Sequence, residues 1–459
     1  MDERKEKAME PFRFHLFVCT QQKPEGVTSC TASGSFAVLD GLDREIQGRG
    51  LDAEVQLTTC GCMGLCDDGP VMVVYPAGVW YRRVQPSDVG EIVDAHMRDG
   101  NPVGRLEWND AAAMKAMSVE HGQKFREAMA AREKAGTLPD RLEQMMRGFM
   151  PSRCLLTALE LDIFTAVGEG ANAEQVGTRI QASARGTGML LNALVALGLL
   201  SKSGDEYRNT PESARFFVQG SKDNHRNGLL HIANLWHRWS TLTDAVRRGS
   251  RMPTARDPRP EWTRDFIAAM QRIAKDRASL AVKALGTAGV RRVLDLGGGS
   301  GAYSIVFAKA SPEVRCEILD LPEVVLLTAD YVNKAGVSAQ IKLRAGDMLT
   351  DDLGTGYDLV MLNAICHMFS EEQNRDLFRR IRQALAPKGR LAVQDFILNS
   401  DKTGPTHAAL FSLNMLVGTE GGASYSEREY TRWLEAAGFD EVRRINLPGP
   451  SDLIVGLAK

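Results

Sequence analysis

The sequence predicts an α/β protein whose C-terminal part is a doubly wound parallel sheet. From Arg291 onwards, near-continuous apolar runs alternate with helical segments, which is typical of parallel strands covered by helices on both faces. Residues 140–285 show helical periodicity instead. Near the start of the chain, short strand-like runs occur together with clustered cysteines. A chain of 459 residues is long enough for two or three domains.

The first predicted domain, residues 1–106, is a compact α/β module. Its alternating strand-like and helical segments fall at residues 12–19, 36–47, 70–75 and 88–97. Residues 107–139 are rich in Ala, Lys, Glu and Met and contain few large apolar side chains. This composition predicts an exposed helical linker.

The predicted middle domain, residues 140–285, is helical. Within it, AEQVGTRI, GMLLNALVALGLL and SGDEYRNT predict two helices and a short β-turn, the pattern of a winged helix. Such a motif serves either as a dimer scaffold or as a DNA-binding module. The second predicted helix is almost wholly apolar and offers no Arg or Lys to a DNA groove, which favours the scaffold. Trp236, Trp239 and His231 are candidates either to line a substrate pocket or to pack in the core.

The last predicted domain, residues 286–459, contains the doubly wound sheet. Its strand-like runs are RRVLDL, CEILD, IKLRAGD, YDLVMLN and GRLAVQDF. The final residues contain two further strand-like runs around a Pro-Gly-Pro turn. They predict an antiparallel hairpin at the edge of the sheet.

The net charge of −2 gives no support for nucleic acid or an anionic membrane as a partner. A small and roughly neutral substrate fits this charge better. The segment MDERKEKAMEPF lacks the apolar stretch of a secretion signal, and no later run approaches the roughly 20 apolar residues of a membrane span. We therefore expect a cytoplasmic protein.

A glycine-rich turn, Gly297 to Gly301, follows the first strand of this last domain. Without side chains, its backbone amides can approach a ligand at the N-terminus of the next helix. The turn also satisfies the dinucleotide fingerprint, so that it does not separate a nicotinamide cofactor from S-adenosylmethionine. Asp320 ends the next strand and can accept hydrogen bonds from ribose hydroxyls in either ligand.

A second acidic residue, Asp347, follows the third strand and precedes Met348. This pair suits an adenine ring, because a carboxylate accepts from the amino group and a thioether provides an apolar face. The alternative role of Asp347 is to cap a helix.

Eight cysteines are present, five of them before residue 70. They are too few and too clustered for a secreted disulfide framework, and in a reducing compartment such a cluster more often binds metal. Ten residues separate Cys19 from Cys30, and three separate Cys62 from Cys66. Structural zinc sites favour two closely spaced pairs, so that zinc, or no metal, is the less favoured interpretation.

The motifs DLGGGSG, ILDLP, AGDM and NAICHMFSEEQNRDLFRRIRQALAPKGRL resemble those of the O-methyltransferases that modify plant small molecules and bacterial polyketides or carotenoids. The resemblance covers residues 140–459. It implies S-adenosylmethionine as cofactor and His367 as the general base. It also implies Asp395 as the first of two acidic residues beside the base, whereas the second position falls near Ser424. The implied cofactor-binding residues are Gly297, Gly299, Gly301, Asp320, Leu321, Asp347, Met348 and Asn363, the last in place of the family's lysine. A packed histidine that caps a strand is the alternative for His367.

Residues 12–106 resemble the thioredoxin-like ferredoxins that hold a 2Fe-2S cluster. The motifs are FHLFVC, SC, GCMGLC, GPVMVVYPAGVWY and DVGEIVDAH. The resemblance implies four thiolate ligands, Cys19, Cys30, Cys62 and Cys66. Cys60 falls on a position that is not a ligand in the family, although it could replace one.

The predicted fold is therefore a thioredoxin-like ferredoxin domain, a helical winged-helix dimerisation domain and a Rossmann-like doubly wound methyltransferase domain. The predicted function is S-adenosylmethionine-dependent O-methylation of a small aromatic or polycyclic metabolite by a homodimer. One alternative is a redox tailoring enzyme, such as a hydroxylase or decarboxylase, that receives electrons through the cluster from an electron-transfer partner. Another is a redox-sensing regulator.

Overall fold

The computed structural model describes residues 11–23, 27–253 and 262–459. The expectation that the chain has no secretion signal rests on a segment of which residues 1–10 lie outside this set. The chain divides into two compact units, Met1–Gly148 and Phe149–Lys459. Each unit is considered by itself. The division of the chain into four segments at residues 106, 139 and 285 stays a prediction.

The first unit is a small α/β fold. Its elements are β1 (Phe14–Cys19), α1 (Ser35–Gly48), β2 (Val55–Cys60), β3 (Met72–Tyr75), β4 (Val79–Tyr81), α2 (Val89–Ile92, continued by a π-helical segment Val93–Arg98), α3 (Ala111–Lys134) and α4 (Asp140–Arg147). The described strands form one sheet in the order β2-β1-β3-β4. α1 covers it because Val38, Leu42 and Ile46 recur at every fourth residue and are buried.

The register of the first sheet brings the cysteine-bearing loops together. β1 and β2 run parallel, and Cys19 at the end of β1 pairs with Cys60 at the end of β2. Because parallel strands end at the same edge of a sheet, the loops that follow them leave the sheet side by side. Cys62 and Cys66 lie in the loop after β2, which therefore starts next to Cys19.

Residues 107–139 contain the predicted helix, α3, but the expectation that it is exposed throughout is wrong. Asp110 caps α3 by accepting a hydrogen bond from the amide of Ala113 at 2.9 Å. Met114 and Met117 pack against a buried group that includes Cys19 and Cys30. The composition did not predict this contact, because methionine side chains at helical spacing can bury one face of a helix that has no large branched or aromatic residues there.

The second unit begins with helices. They and the hairpin among them are α5 (Phe149–Glu160), α6 (Ile163–Val167), α7 (Ala173–Arg179), α8 (Ala184–Ala196), β5 (Leu200–Ser203), β6 (Glu206–Asn209), α9 (Pro211–Phe216), α10 (Arg226–Trp239), α11 (Leu242–Arg248) and α12 (Trp262–Leu285). α7, α8 and the β5-β6 hairpin form the predicted winged helix. α8 begins earlier than the apolar run, so that Arg185 lies in its first turn.

The rest of the second unit is the doubly wound sheet. Its elements are β7 (Arg292–Leu296), α13 (Ala302–Ala310), β8 (Arg315–Asp320), α14 (Pro322–Ala335), β9 (Ile341–Ala345), β10 (Tyr357–Asn363), α15 (Glu371–Ala384), β11 (Leu385–Asp395), α16 (Thr406–Gly418), α17 (Glu427–Ala436), β12 (Phe439–Ile445) and β13 (Asp452–Ala458). The strand order is β12-β13-β11-β10-β7-β8-β9. β13 pairs antiparallel with both β11 and β12, which confirms the predicted terminal hairpin.

The strand order reverses between β7 and β10. The chain proceeds from β7 to β8 and β9 on one side and then returns to place β10 on the other side of β7. In open α/β sheets, ligands bind at the carboxyl ends of the strands beside such a reversal. No helix in the described ranges has the combination of length and apolar character needed to cross a bilayer.

Candidate functional site

The glycine-rich turn lies at the reversal point, between β7 and α13. Gly297, Gly299 and Gly301 all have positive φ angles, which glycine adopts without steric cost. A Cβ on Gly297 would overlap the side chain of Ile365. A Cβ on Gly299 would meet only Ile267 Cδ1, at 3.8 Å. Gly299 therefore leaves room for a ligand to approach the backbone.

Asp320 lies beside this turn at the end of β8. Its Oδ2 accepts a hydrogen bond from the amide of Gly299, and its Oδ1 accepts one from the amide of Leu321, each at 2.8 Å. Burial raises the pKa of Asp320, although the two amides oppose the shift. Each carboxylate oxygen has two acceptor sites, so that Asp320 can still accept from two hydroxyl groups.

The third strand places Asp347 and Met348 at the same edge of the sheet. Asp347 is exposed, and its Oδ1 accepts from the amide of Leu349 at 2.8 Å. Asp347 thus stabilises a turn, and one carboxylate oxygen remains for a ligand. Leu321 is 47% exposed, so that an apolar side chain at this edge is open to a flat ring. Asn363, at the end of β10, lies 3.5 Å from the carboxylate of Asp295 through its Nδ2.

Two residues that sequence reasoning missed also belong to this region. Asp295 is fully buried within β7, accepts a hydrogen bond from Ser304 Oγ at 2.8 Å, and has its pKa raised to about 6 by burial. Arg277 on α12 has its guanidinium carbon 5.7 Å from the ring centre of Phe396. Burial lowers the pKa of Arg277. Arg277 could have been found from the sequence, because it is a charged residue on an otherwise apolar face of a helix.

His367 and Asp395 form a buried pair. His367 Nδ1 and Asp395 Oδ1 are 2.7 Å apart, and Asp395 Oδ2 accepts from the amide of His367 at 3.1 Å. A carboxylate only accepts hydrogen bonds, so that the proton of a neutral imidazole lies on Nδ1. Nε2 is then the nitrogen with a free lone pair. The structure brings the two predicted catalytic residues together.

Asp395 is held by two further donors. The amide of Phe396 donates to Oδ1 at 2.9 Å, and the hydroxyl of Tyr430 donates to Oδ2 at 3.1 Å. Burial raises the pKa of Tyr430 well above its ordinary value, which keeps this hydroxyl protonated as a donor. Sequence reasoning did not identify Tyr430, because it reaches the site from α17, more than thirty residues away along the chain.

Aromatic rings and a glycine define the surroundings of His367. Phe411 meets the imidazole edge-on at 4.8 Å between ring centres, and Phe396 lies 4.2 Å from Phe411. A Cβ on Gly422 would overlap the carbonyl oxygen of His367, so that only glycine fits there. Ser424, which falls near the family's second acidic position, has a buried hydroxyl oxygen without a described hydrogen-bond partner.

The three aromatic residues suggested for the substrate pocket have different surroundings. Trp236 contacts Phe149, with 6.5 Å between ring centres. Trp239 donates from Nε1 to Asn414 Oδ1 on α16 at 2.9 Å. His231 lies 5.2 Å from the ring of Phe266 on α12. Their role in binding a substrate stays a prediction.

The four predicted cluster ligands converge in the first unit. Cys19, Cys30 and Cys66 are buried, whereas Cys62 is exposed. Cys62 Sγ and Cys66 Sγ are 3.5 Å apart. A Cβ on Gly69 would lie 3.0 Å from Cys30 Sγ, so that a glycine is needed for the chain to pass this thiol.

Hydrogen bonds among the thiols change their pKa values. A hydrogen bond from Cys30 lowers the pKa of Cys66 to about 5, and Lys23 also favours its thiolate form. A hydrogen bond from Cys30 lowers the pKa of Cys19 to about 6. Thiolates are the form in which cysteines bind metal. The pKa values of Cys30 and Cys62 are raised instead, that of Cys30 chiefly by its hydrogen bond with Cys19 and that of Cys62 by burial. The fit to an iron-sulfur cluster therefore rests on the presence of four neighbouring thiols, the standard ligand set, with Cys60 half-buried at the end of the neighbouring strand.

Comparison with known families identifies three segments. Residues 239–440 match the O-methyltransferase domain, and residues 143–219 match the O-methyltransferase dimerisation domain. Residues 11–97 match the thioredoxin-like 2Fe-2S ferredoxin family. These matches agree with the winged helix, the doubly wound sheet and the cysteine-bearing module described above, and they confirm the fold expected from the sequence.

Individual relatives agree with this assignment. The chain is 33% identical to 3-hydroxy-5-methyl-1-naphthoate 3-O-methyltransferase of Streptomyces sahachiroi, over 72% of this chain and 99% of that protein. It is 32% identical to the tetracenomycin polyketide synthesis 8-O-methyl transferase TcmO of Streptomyces glaucescens, over 69% of this chain and 96% of that protein. The solved structure of PigF with SAH superposes with a TM-score of 0.65 at 29% identity, over 70% of this chain and 99% of that one. The chain therefore belongs to the O-methyltransferase family of S-adenosylmethionine-dependent enzymes and also carries a thioredoxin-like 2Fe-2S ferredoxin domain.

Proposed function

We propose that this enzyme methylates a hydroxyl group on a small aromatic or polycyclic metabolite. The observation that supports this proposal most directly is the buried pair of His367 and Asp395 at the carboxyl edge of the sheet. His367 follows β10, the strand next to β7, and Asp395 ends β11 on the far side of β10. A base held in one tautomer at this edge suits the removal of a proton from an acceptor hydroxyl.

The glycine-rich turn and the two acidic strand ends would hold S-adenosylmethionine. Gly299 leaves its backbone open, and Asp320 retains acceptor sites for ribose hydroxyls. Leu321 and Met348 would provide apolar contacts for the adenine ring, and Asp347 would accept from its amino group. S-adenosylmethionine supplies an electrophilic methyl carbon when bound.

His367 would act as the general base. Nε2 accepts the proton of the substrate hydroxyl while the oxygen gains its methyl group. The imidazolium that results is stabilised by Asp395, whose oxygen lies 2.7 Å from Nδ1. Asp395 therefore has two roles: it fixes the tautomer before the reaction and balances the charge during it.

The aromatic surroundings support the substrate class. Phe396 and Phe411 lie next to His367, and such faces pack favourably against a planar ring. The relatives with the highest identity named above act on a hydroxynaphthoate and in tetracenomycin polyketide synthesis. A phenolic hydroxyl on fused rings is therefore the acceptor that we infer.

A methylation assay tests this function directly. We expect the oxidised full-length enzyme to transfer labelled methyl groups to hydroxynaphthoates or polycyclic phenols in the absence of any reductant. Asp320→Asn should weaken the calorimetric affinity for S-adenosylmethionine by about tenfold, because a charge-assisted acceptor is lost. Asp330→Asn, an exposed change on α14, is the matched control. A reductant-dependent product that is hydroxylated or decarboxylated, with no methyl group transferred, would contradict the proposal and favour the redox tailoring alternative.

That alternative has one specific observation in its favour, the ferredoxin domain itself. Methyl transfer from a sulfonium moves no net electrons, so that the proposed reaction does not consume the electrons that a 2Fe-2S cluster supplies.

We propose that Cys19, Cys30, Cys62 and Cys66 hold such a cluster, and that its oxidation state regulates the methyltransferase. Under this proposal, reduction changes the rate of methylation but not its product.

We also propose that the enzyme is a homodimer. The dimerisation domain carries an apolar groove of about 510 Å³ between α5 and α8, lined in part by Met150, Cys154 and Leu161. Met150 is 52% exposed and Leu161 is 39% exposed. Exposed apolar patches of this kind are typical of protein interfaces.

Charged substitutions in this groove test the dimer. We expect Met150→Glu combined with Leu161→Glu to shift the protein from dimer to monomer in light scattering coupled to size-exclusion chromatography, since each charge would be buried on association. Val119→Glu, at an equally exposed apolar side chain on α3, should leave the mass unchanged. A dimer that survives the double change would place the interface elsewhere.

A further inference from the structure

α3 packs directly on the cysteine-bearing loops of the first unit. Met114 and Met117 contact the buried group that contains Cys19 and Cys30. Ser118 Oγ donates to the carbonyl oxygen of Met63 at 3.4 Å, and a Cβ on Gly64 would overlap the Ser118 side chain. The ferredoxin family match ends at residue 97, so that α3 is an addition to the part of the chain that the family describes.

One turn further along α3, His121 approaches the cluster ligands. A ring nitrogen of His121 and the sulfur atoms of Cys62 and Cys66 all lie within 4.8 Å of one another. His121 is 8% exposed, which is unusual on a helix that is otherwise largely solvent-facing. α3 thereby places a buried imidazole beside two of the predicted cluster ligands.

Lys23 completes this arrangement from the loop after β1. Its Nζ donates to Cys66 Sγ at 3.1 Å and also contacts His121 Nε2. The ammonium group lies 5.3 Å from the ring centre of Phe125, one turn along α3 from His121. An ammonium only donates hydrogen bonds, so that His121 Nε2 accepts from Lys23 and holds the ammonium against the sulfur of one predicted ligand.

We propose that His121 and Lys23 are positioning residues that stabilise the reduced form of the iron-sulfur cluster. The inference rests on the proposed cluster. One electron from an external donor adds one negative charge to the iron pair, and no other bond is made or broken. A nearby ammonium that donates to a ligand sulfur favours the more negative state, since hydrogen bonds to the sulfurs are an established control of cluster potential. His121 acts by holding that ammonium in place. α3 thereby makes the cluster easier to reduce.

Potentiometric titration of the anaerobically purified full-length protein tests the inference. We expect His121→Ala and Lys23→Met each to lower the equilibrium constant for cluster reduction by roughly tenfold, which is about 59 mV for a one-electron couple. Visible absorbance and electron paramagnetic resonance follow the reduced fraction. Lys124→Met, an exposed change on the same helix, should leave the potential unchanged. His121→Gln, which keeps an acceptor for the Lys23 ammonium, should recover part of the shift.

Unchanged potentials in both variants with full iron content would overturn the inference. Nitrogen hyperfine coupling from His121 in the reduced wild-type protein would also overturn it, since it would make His121 a ligand and not a positioning residue. Should His121→Ala lose its cluster, Lys23→Met provides the independent measurement. Wild-type protein without iron would instead refute the proposed cluster, so that the two failures are distinguishable.

Discussion

Replacement of His367 by alanine is expected to lower kcat by about 10²–10⁴-fold, the usual contribution of a general base. The affinity for S-adenosylmethionine should stay nearly unchanged, because the side chain faces Phe411 and Asp395 and not the glycine-rich turn. Steady-state kinetics with a phenolic acceptor and calorimetric titration of S-adenosylmethionine measure the two quantities separately.

Two further variants sharpen this test. His237→Ala removes an exposed histidine from α10 and should leave both quantities unchanged. Asp395→Asn should lower kcat as well, because an amide no longer balances the imidazolium. A parallel loss of cofactor binding in His367→Ala would reassign the residue to the cofactor pocket. Full activity would mean that the buried pair is structural.

Loss of the visible absorbance of anaerobically purified protein is the expected result of Cys62→Ala. A 2Fe-2S cluster takes four protein ligands, and Cys62 is the exposed member of the predicted set, so that its removal opens the cluster to solvent. Iron and sulfide analysis of the same samples shows whether the cluster is absent or only altered.

Cys60 is the critical control for this experiment. Cys60→Ala should keep the spectrum, because Cys19, Cys30, Cys62 and Cys66 already supply the four ligands. Cys154→Ala, in the second unit, controls for the loss of a thiol as such. An unchanged spectrum in Cys62→Ala would mean that the ligand set is wrong, and its loss only after the additional change Cys60→Ala would identify Cys60 as a replacement ligand.

Much of the fold follows from local patterns. The strands from β7 to β11 could be predicted because each is a short apolar run between helices, and the carboxyl edge of a parallel sheet then places Asp320, Asp347 and Asp395 together. The same reasoning predicts the terminal hairpin from its Pro-Gly-Pro turn. These predictions succeed because burial on both faces leaves a continuous apolar signature in the chain.

Other features depend on contacts between distant segments. His121 sits in a helix whose composition predicts solvent exposure, and only the packing of Met114 and Met117 turns its side chain towards the cysteines. Tyr430 reaches Asp395 from α17, and Arg277 approaches Phe396 from α12. Local periodicity does not encode these contacts, because they depend on how the helices pack against other elements of the fold.

The hydrogen bonds to Asp395 have a consequence for selectivity among metabolites. Its two oxygens accept from the Nδ1–H and amide of His367, the amide of Phe396 and the hydroxyl of Tyr430. A carboxylate offers about four acceptor sites, so that an entering molecule finds none vacant. Discrimination between acceptor molecules must then come from the shape of the pocket around His367. Efforts to redirect the enzyme to new compounds should therefore vary Phe396 and Phe411 and leave His367, Asp395 and Tyr430 unchanged.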